Sequence, residues 1–243
     1  TMIVIVLGMH RSGTSTLSGV LHMNKVTMGT YQTFWPRPLN QNPKGFYENY
    51  DFRNINDQML KLSGYDVKSY KTDIPLVQAN DKIYSKMRDL VQNCNFQYGD
   101  WGWKDPRTCL TVKYWFDIIR ELGLSDEVKI VFVVRKASSV ARSLKKRNQL
   151  ALDQGLELWR SYTDRALDFC NESQIPIHYC SFEALLDDPV SVCDALFCFL
   201  NRPWNTSIVD QFVDKSISSS QIGEDVILPR HIVELESDIY SRL

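Results

Sequence analysis

The sequence has no Cys-x-x-Cys pair, no apolar run long enough to cross a bilayer and no excess of either charge. Each absence removes a class of protein. Six cysteines, Cys94, Cys109, Cys170, Cys180, Cys193 and Cys198, are scattered, and the closest two stand five positions apart in an apolar helical pattern. They read as buried free thiols rather than a disulfide framework or a metal site. The opening apolar run, Met2 to Met9, is too short for a membrane span, and no basic segment precedes an apolar core as in a secretory signal. The expectation is a cytoplasmic chain without a membrane segment. With 28 basic and 29 acidic side chains the net charge is -1, which excludes coating of nucleic acid or membranes by bulk charge. An anion must therefore be bound locally. Glycine (11) and proline (9) are too sparse for a fibrous or low-complexity chain.

What is present is a core-forming composition: 44% of the 243 residues are hydrophobic and 12% aromatic, enough for one large domain spanning 1–243. Ile3 to Leu7 is a β-branched run of the kind buried on both faces in a parallel sheet. Lys129 to Val134 repeats it and leads into a helix with Ala137, Val140, Ala141 and Leu144 on one face. Ile175 to Cys180 and Trp101 to Trp103 are further strand candidates. Helices are expected near 51–62, 80–96, 108–122, 153–172, 189–200 and 230–242. Strands alternating with helices predict an α/β three-layer sandwich around a central parallel sheet of about five strands, P-loop NTPase-like. Trp101, Trp103, Tyr114 and Trp115 read as core. The Pro- and Asn-rich stretch from Trp35 to Asn49 reads as a functional loop gathering Lys44, Tyr47 and Glu48, with Tyr31 and Trp35 facing an acceptor.

Gly8-Met-His-Arg-Ser-Gly-Thr-Ser15 has the spacing of a phosphate-binding loop between a strand and a helix, where backbone N–H groups and the helix dipole meet an anion. The lysine that a triphosphate loop needs is replaced by Thr14, and the cation stands at Arg11. The competing reading is an incidental turn with Ser12 or Thr14 capping the helix. Arg135 leaves a buried strand with Ser143 eight residues on, within a 13-residue stretch holding six basic and no acidic side chains. A magnesium-dependent fold carries a carboxylate at such a strand end; a guanidinium binds anions directly, so a second anionic group is implied. Lys145, Lys146 and Arg147 read as a solvated helix face.

These segments, with Asn42-Pro-Lys-Gly-Phe-Tyr-Glu48 and Trp103-Lys-Asp-Pro-Arg107, resemble the sulfotransferases that use 3′-phosphoadenosine 5′-phosphosulfate, in particular their bacterial-type branch. The resemblance implies that Arg11, with Ser12, Gly13, Thr14 and Ser15, holds the 5′-phosphosulfate, and that Arg135 and Ser143 hold the 3′-phosphate. Ser181 to Pro189 is similar to the family's segment near the adenine, with Phe182 at an aromatic position. Three departures stand out. Thr16 replaces an aromatic residue after the loop, so base stacking falls to Phe182. The basic C-terminal loop is reduced to Lys215 within Phe212 to Ser220. Pro106 stands where many members carry a catalytic histidine.

Sulfuryl transfer needs in-line attack, a base for the hydroxyl proton and positive charge on the developing phosphate, with no metal. Arg11 and Lys104 are the expected electrophilic groups. Glu48 is the expected base, its pKa raised by desolvation among aromatics, unless it simply pairs with Lys44. His10 is a rival base, or a structural group bonded to the turn. Lys104 and Arg107 have the alternative of pairing with Asp105. The expected partner is a small-molecule or glycan acceptor, with no nucleic acid. The alternatives are a kinase using Mg-ATP with Asp105 on the metal, or an inactive nucleotide-binding module.

Overall fold

The computed structural model describes residues 1–30, 32–35, 47–212 and 225–243. Four parallel strands form the sheet: β1 (Ile3–Leu7), β4 (Trp101–Lys104), β5 (Val128–Val134) and β6 (Ile177–Ser181), in the order β4-β1-β5-β6. Ile3 pairs with Trp101 on one side and Val128 on the other, so β1 lies inside the sheet and is buried at every residue. The expected count of about five strands is thus four among the described residues. The remaining extended pair, β2 (Phe34–Trp35) and β3 (Glu48–Asn49), forms a separate antiparallel hairpin. Glu48, expected on a loop, therefore stands on a short strand. Its Lys44 pairing and the Tyr31 contact fall outside the described residues.

The helices are α1 (Thr14–Met23), α2 (Tyr50–Leu62), α3 (Asp81–Gln97), α4 (Thr108–Glu121), α5 (Ala137–Asn148), α6 (Leu152–Glu172), α7 (Phe182–Asp187), α8 (Pro189–Leu200), α9 (Val209–Phe212) and α10 (Arg230–Tyr240); all but the short α7 and α9 fall where the sequence predicts them. Local chemistry starts several of them. The side chains of Asn49, Asn80, Ser181 and Asp188 accept hydrogen bonds from backbone N–H groups in the first turns of α2, α3, α7 and α8. The predicted start of β6 at Ile175 moves to Ile177. Pro176 has no N–H to donate, although its carbonyl still receives the Ile130 N–H at 3.0 Å.

Alternation along β1 divides the core. Ile3, Ile5 and Leu7 join α4, α5 and α6 on one face, where Phe52 stacks on Trp103 at 4.3 Å and Trp115 is fully buried. Met2, Val4 and Val6 join α1 and α8 on the other face, giving three layers. Trp101, Trp103 and Trp115 are core, as expected. Of the six cysteines, Cys198 is exposed and the other five are buried; all are free. No helix is long and apolar enough to cross a membrane among the described residues.

Candidate active site

All four strands end at one edge, and each delivers a chemical group there. The segment Gly8 to Gly13 follows β1, Lys104 ends β4, Arg135 follows β5 and Phe182 follows β6. This is the carboxyl edge where open α/β sheets bind ligands. A cavity of about 900 Å³ lies over it.

The loop after β1 is shaped by its two glycines. A Cβ at Gly8 would stand 2.7 Å from the Val133 carbonyl oxygen. Gly13 has φ 82°, and a Cβ there would lie 2.1 Å from the Phe182 ring. Gly13 is also the cap residue of α1, and no side chain caps that helix, so neither Ser12 nor Thr14 plays the capping part. The α1 amino terminus and its dipole are left facing the cavity. Gly13→Ala is expected to cost roughly 2–4 kcal/mol, the sum of left-handed strain and overpacking against a buried ring. Urea denaturation with an unchanged m-value is the check.

Arg11 has φ 67°, and its Nε donates to Ser143 Oγ at 3.1 Å. The Arg135 guanidinium donates to the Arg11 carbonyl at 2.6 Å and lies 4.5 Å over the Phe182 ring. Arg135 is 3% exposed and Ser143 7%. The two expected anion grips are therefore joined in one cluster. Burial and the neighbouring Arg147 and Arg135 push the Arg11 guanidinium down to about 10. Burial, with Arg142, also lowers Arg135 against the pull of Glu183. Such crowding is relieved by an anion. Arg147, read from the sequence as solvated, lines the cavity although exposed. It stands four residues after Ser143 on α5, so one helix face carries both. That spacing was the missed signal.

Lys104 is 2% exposed. Its ammonium donates to Ser15 Oγ and to Glu48 Oε1, both at 3.1 Å, tying the loop to the β2–β3 hairpin. Glu48 also faces Arg53 at 3.6 Å. Burial pushes the Glu48 carboxyl up, but Lys104, Arg107 and Arg53 together outweigh it and hold the group below the ordinary carboxylate range. The expectation of a raised pKa is corrected: desolvation acts, and three cations reverse it. Arg53 is in none of the segments that carry the resemblance.

Arg107, not Lys104, takes Asp105, at 2.8 Å, and adds Asp57 at 2.9 Å. Asn56 donates to the second Asp105 oxygen at 2.9 Å. His10 makes no hydrogen bond to the turn; its Nε2 is buried without a partner, and its ring meets Tyr162 edge-on at 5.5 Å. Burial and the cations Arg107 and Lys104 push His10 down to about 3, so it is neutral. The turn-bonding role is thereby corrected. No group of acidic, histidine and cysteine side chains suited to a metal ion is found among the described residues. The segment with Lys215 lies outside them.

A lysine-less glycine loop after β1 and an arginine after β5 thus share one edge of an α/β sheet. The family model described as "Sulfotransferase family" matches residues 4–206, and the chain belongs to that family. Among solved structures, it is similar to the sulfotransferase domain of the Synechococcus PCC 7002 olefin synthase, with a TM-score of 0.65 and 14% identity over 99% of this chain and 94% of the other. It is also similar to the sulfotransferase domain from the curacin biosynthetic pathway, with a TM-score of 0.59 and 17% identity over 99% and 98%. At such identities the likeness concerns the fold. No curated protein matches the chain.

Proposed function

We propose that residues 1–243 act as one unit that transfers the sulfuryl group of 3′-phosphoadenosine 5′-phosphosulfate to a hydroxyl or amine of a small-molecule or glycan acceptor. The observation that carries this reading is the joined cluster of Arg11, Arg135 and Ser143, a half-buried and a buried guanidinium and a hydroxyl beside an uncapped helix. A nucleotide with negative charge at both its 3′ and 5′ ends matches a cavity with basic groups at both places. Arg135 and Ser143 hold the 3′-phosphate; Ser12 to Ser15 and Arg11 hold the 5′ end. Phe182 braces Arg135 and borders the base.

In the reaction the acceptor oxygen forms a bond to sulfur while the bond from sulfur to the 5′-phosphate oxygen breaks. Adenosine 3′,5′-bisphosphate and the sulfated acceptor leave. Glu48, ionised at neutral pH, takes the acceptor proton. Lys104, shared between Ser15 and Glu48, neutralises charge as it develops on the leaving oxygen. Approach of the donor's anionic end draws Lys104 away from Glu48 and makes that carboxylate a stronger base.

Thermal-shift titration tests the reading. Adenosine 3′,5′-bisphosphate at about 100 times its Kd is expected to raise the melting temperature by roughly 5–10 °C. Stabilisation by Mg-ATP alone would overturn it in favour of phosphoryl transfer. That alternative finds little support, because both Asp105 oxygens are engaged by Arg107 and Asn56.

A further inference from the structure

The cavity does not end at the donor groups. Beyond the loop it continues between α6 and the turn after α2, where Tyr65, Val67, Tyr70, Leu158 and Tyr162 line it. Leu158 and Tyr162 are one helical turn apart on α6 and present the same face. The opposite wall is braced. Asn148 donates to the Tyr70 hydroxyl at 2.8 Å, Gln154 to the Tyr70 carbonyl at 2.7 Å, and the Tyr65 hydroxyl donates to the Lys71 carbonyl at 2.7 Å. This half of the cavity is therefore a fixed slot.

One buried polar atom beside it lacks a partner among the described residues, His10 Nε2. A buried polar atom left unsatisfied in this way points to a ligand that satisfies it. Tyr162, 2% exposed, lines the same slot. The charges are equally uneven. Arg107 is matched by Asp105 and Asp57, Arg53 and Lys104 share Glu48, and Arg11 and Arg135 face the donor. Lys68, exposed where it lines the cavity, makes no side-chain ion pair among the described residues, Asp66 accepting only from its backbone N–H. Glu48 is the one acid lining the cavity among its described residues.

We infer that this slot is the acceptor subsite and that it takes a hydroxylated aromatic molecule carrying an acidic group. The ring lies between the Tyr65–Tyr70 wall and the Leu158–Tyr162 face. Tyr162 and His10 hydrogen-bond its polar edge, and Lys68 meets the acid at the mouth. The inference rests on the sulfotransferase reading for the place of the reacting hydroxyl.

The test uses three probes sharing one phenol: 4-hydroxyphenylacetate, its methyl ester and tyramine. Their equilibrium binding is measured with the protein both nucleotide-free and saturated with adenosine 3′,5′-bisphosphate. The anion is expected to bind roughly fivefold more tightly than the ester, the scale of a partly exposed ion pair, and tyramine more weakly still. Lys68→Glu is expected to invert that order, and Tyr162→Phe to weaken all three alike. Binding of the bisphosphate by each variant checks that the fold is intact. Equal binding, a preference for tyramine, or no binding by any probe overturns the inference. Failure of the bisphosphate itself to bind would instead remove the sulfotransferase reading, and the nucleotide-free series would still decide the subsite.

Discussion

Arg135→Ala should weaken adenosine 3′,5′-bisphosphate binding by roughly two to three orders of magnitude, the loss typical of removing one partner from a desolvated charge contact. The guanidinium is buried, so the attraction it offers a phosphate is little screened by solvent. It also has two neighbours that position it, the Arg11 carbonyl below and the Phe182 ring beside it. Alanine therefore removes charge from one end of the nucleotide and a tether from the loop that grips the other. Arg135→Lys separates these contributions. A lysine keeps the charge but cannot present a planar group to ring and carbonyl together, so it should recover only part of the affinity. Calorimetric titration of the bisphosphate reads both variants. Wild-type affinity in Arg135→Ala would sink the assignment of the strand-end cation.

Glu48→Gln should lower kcat by roughly 10²–10⁴-fold, the range for loss of a general base, while bisphosphate affinity stays close to wild type. Glutamine is nearly isosteric and its amide oxygen can still accept from Lys104, so the hairpin should keep its tie to the strand end. The sign of the pH dependence follows from the depressed pKa. A carboxyl held below its unfolded value contributes stability at neutral pH, and that contribution is lost as pH falls through the folded pKa. The acid limb of kcat/KM should therefore lie below the ordinary carboxylate range and not in the histidine range. His10, pushed down to about 3, would also titrate there, so the substitution and not the profile separates the two bases. Unchanged turnover in Glu48→Gln would transfer the role to His10.

Much of this arrangement was legible before any coordinate. The buried strands and their helices announced themselves because a parallel sheet needs apolar runs on both faces, and helices packed on it need a repeating apolar stripe. Arg11, Arg135 and Ser143 were readable because their spacing sits on local turns whose geometry short motifs encode. Lys104 was readable as the end of a strand that stops at Asp105-Pro106. The Tyr65, Tyr70, Leu158 and Tyr162 slot was not. Its residues come from segments nearly a hundred positions apart, and at helical spacing an aromatic that lines a cavity looks the same as one that fills a core.

The sequence by itself determined the layer architecture and where the glycine loop and the basic residues Arg11, Lys104 and Arg135 fall on it, since each depends on neighbours within a few residues along the chain. Only the tertiary structure decided which cation meets which acid. Glu48 went to Lys104 and Arg53, and Asp105 to Arg107. Those pairings set the carboxylate's charge state, because Coulomb attraction depends on distance in space and burial magnifies it, and neither is written in the order of residues.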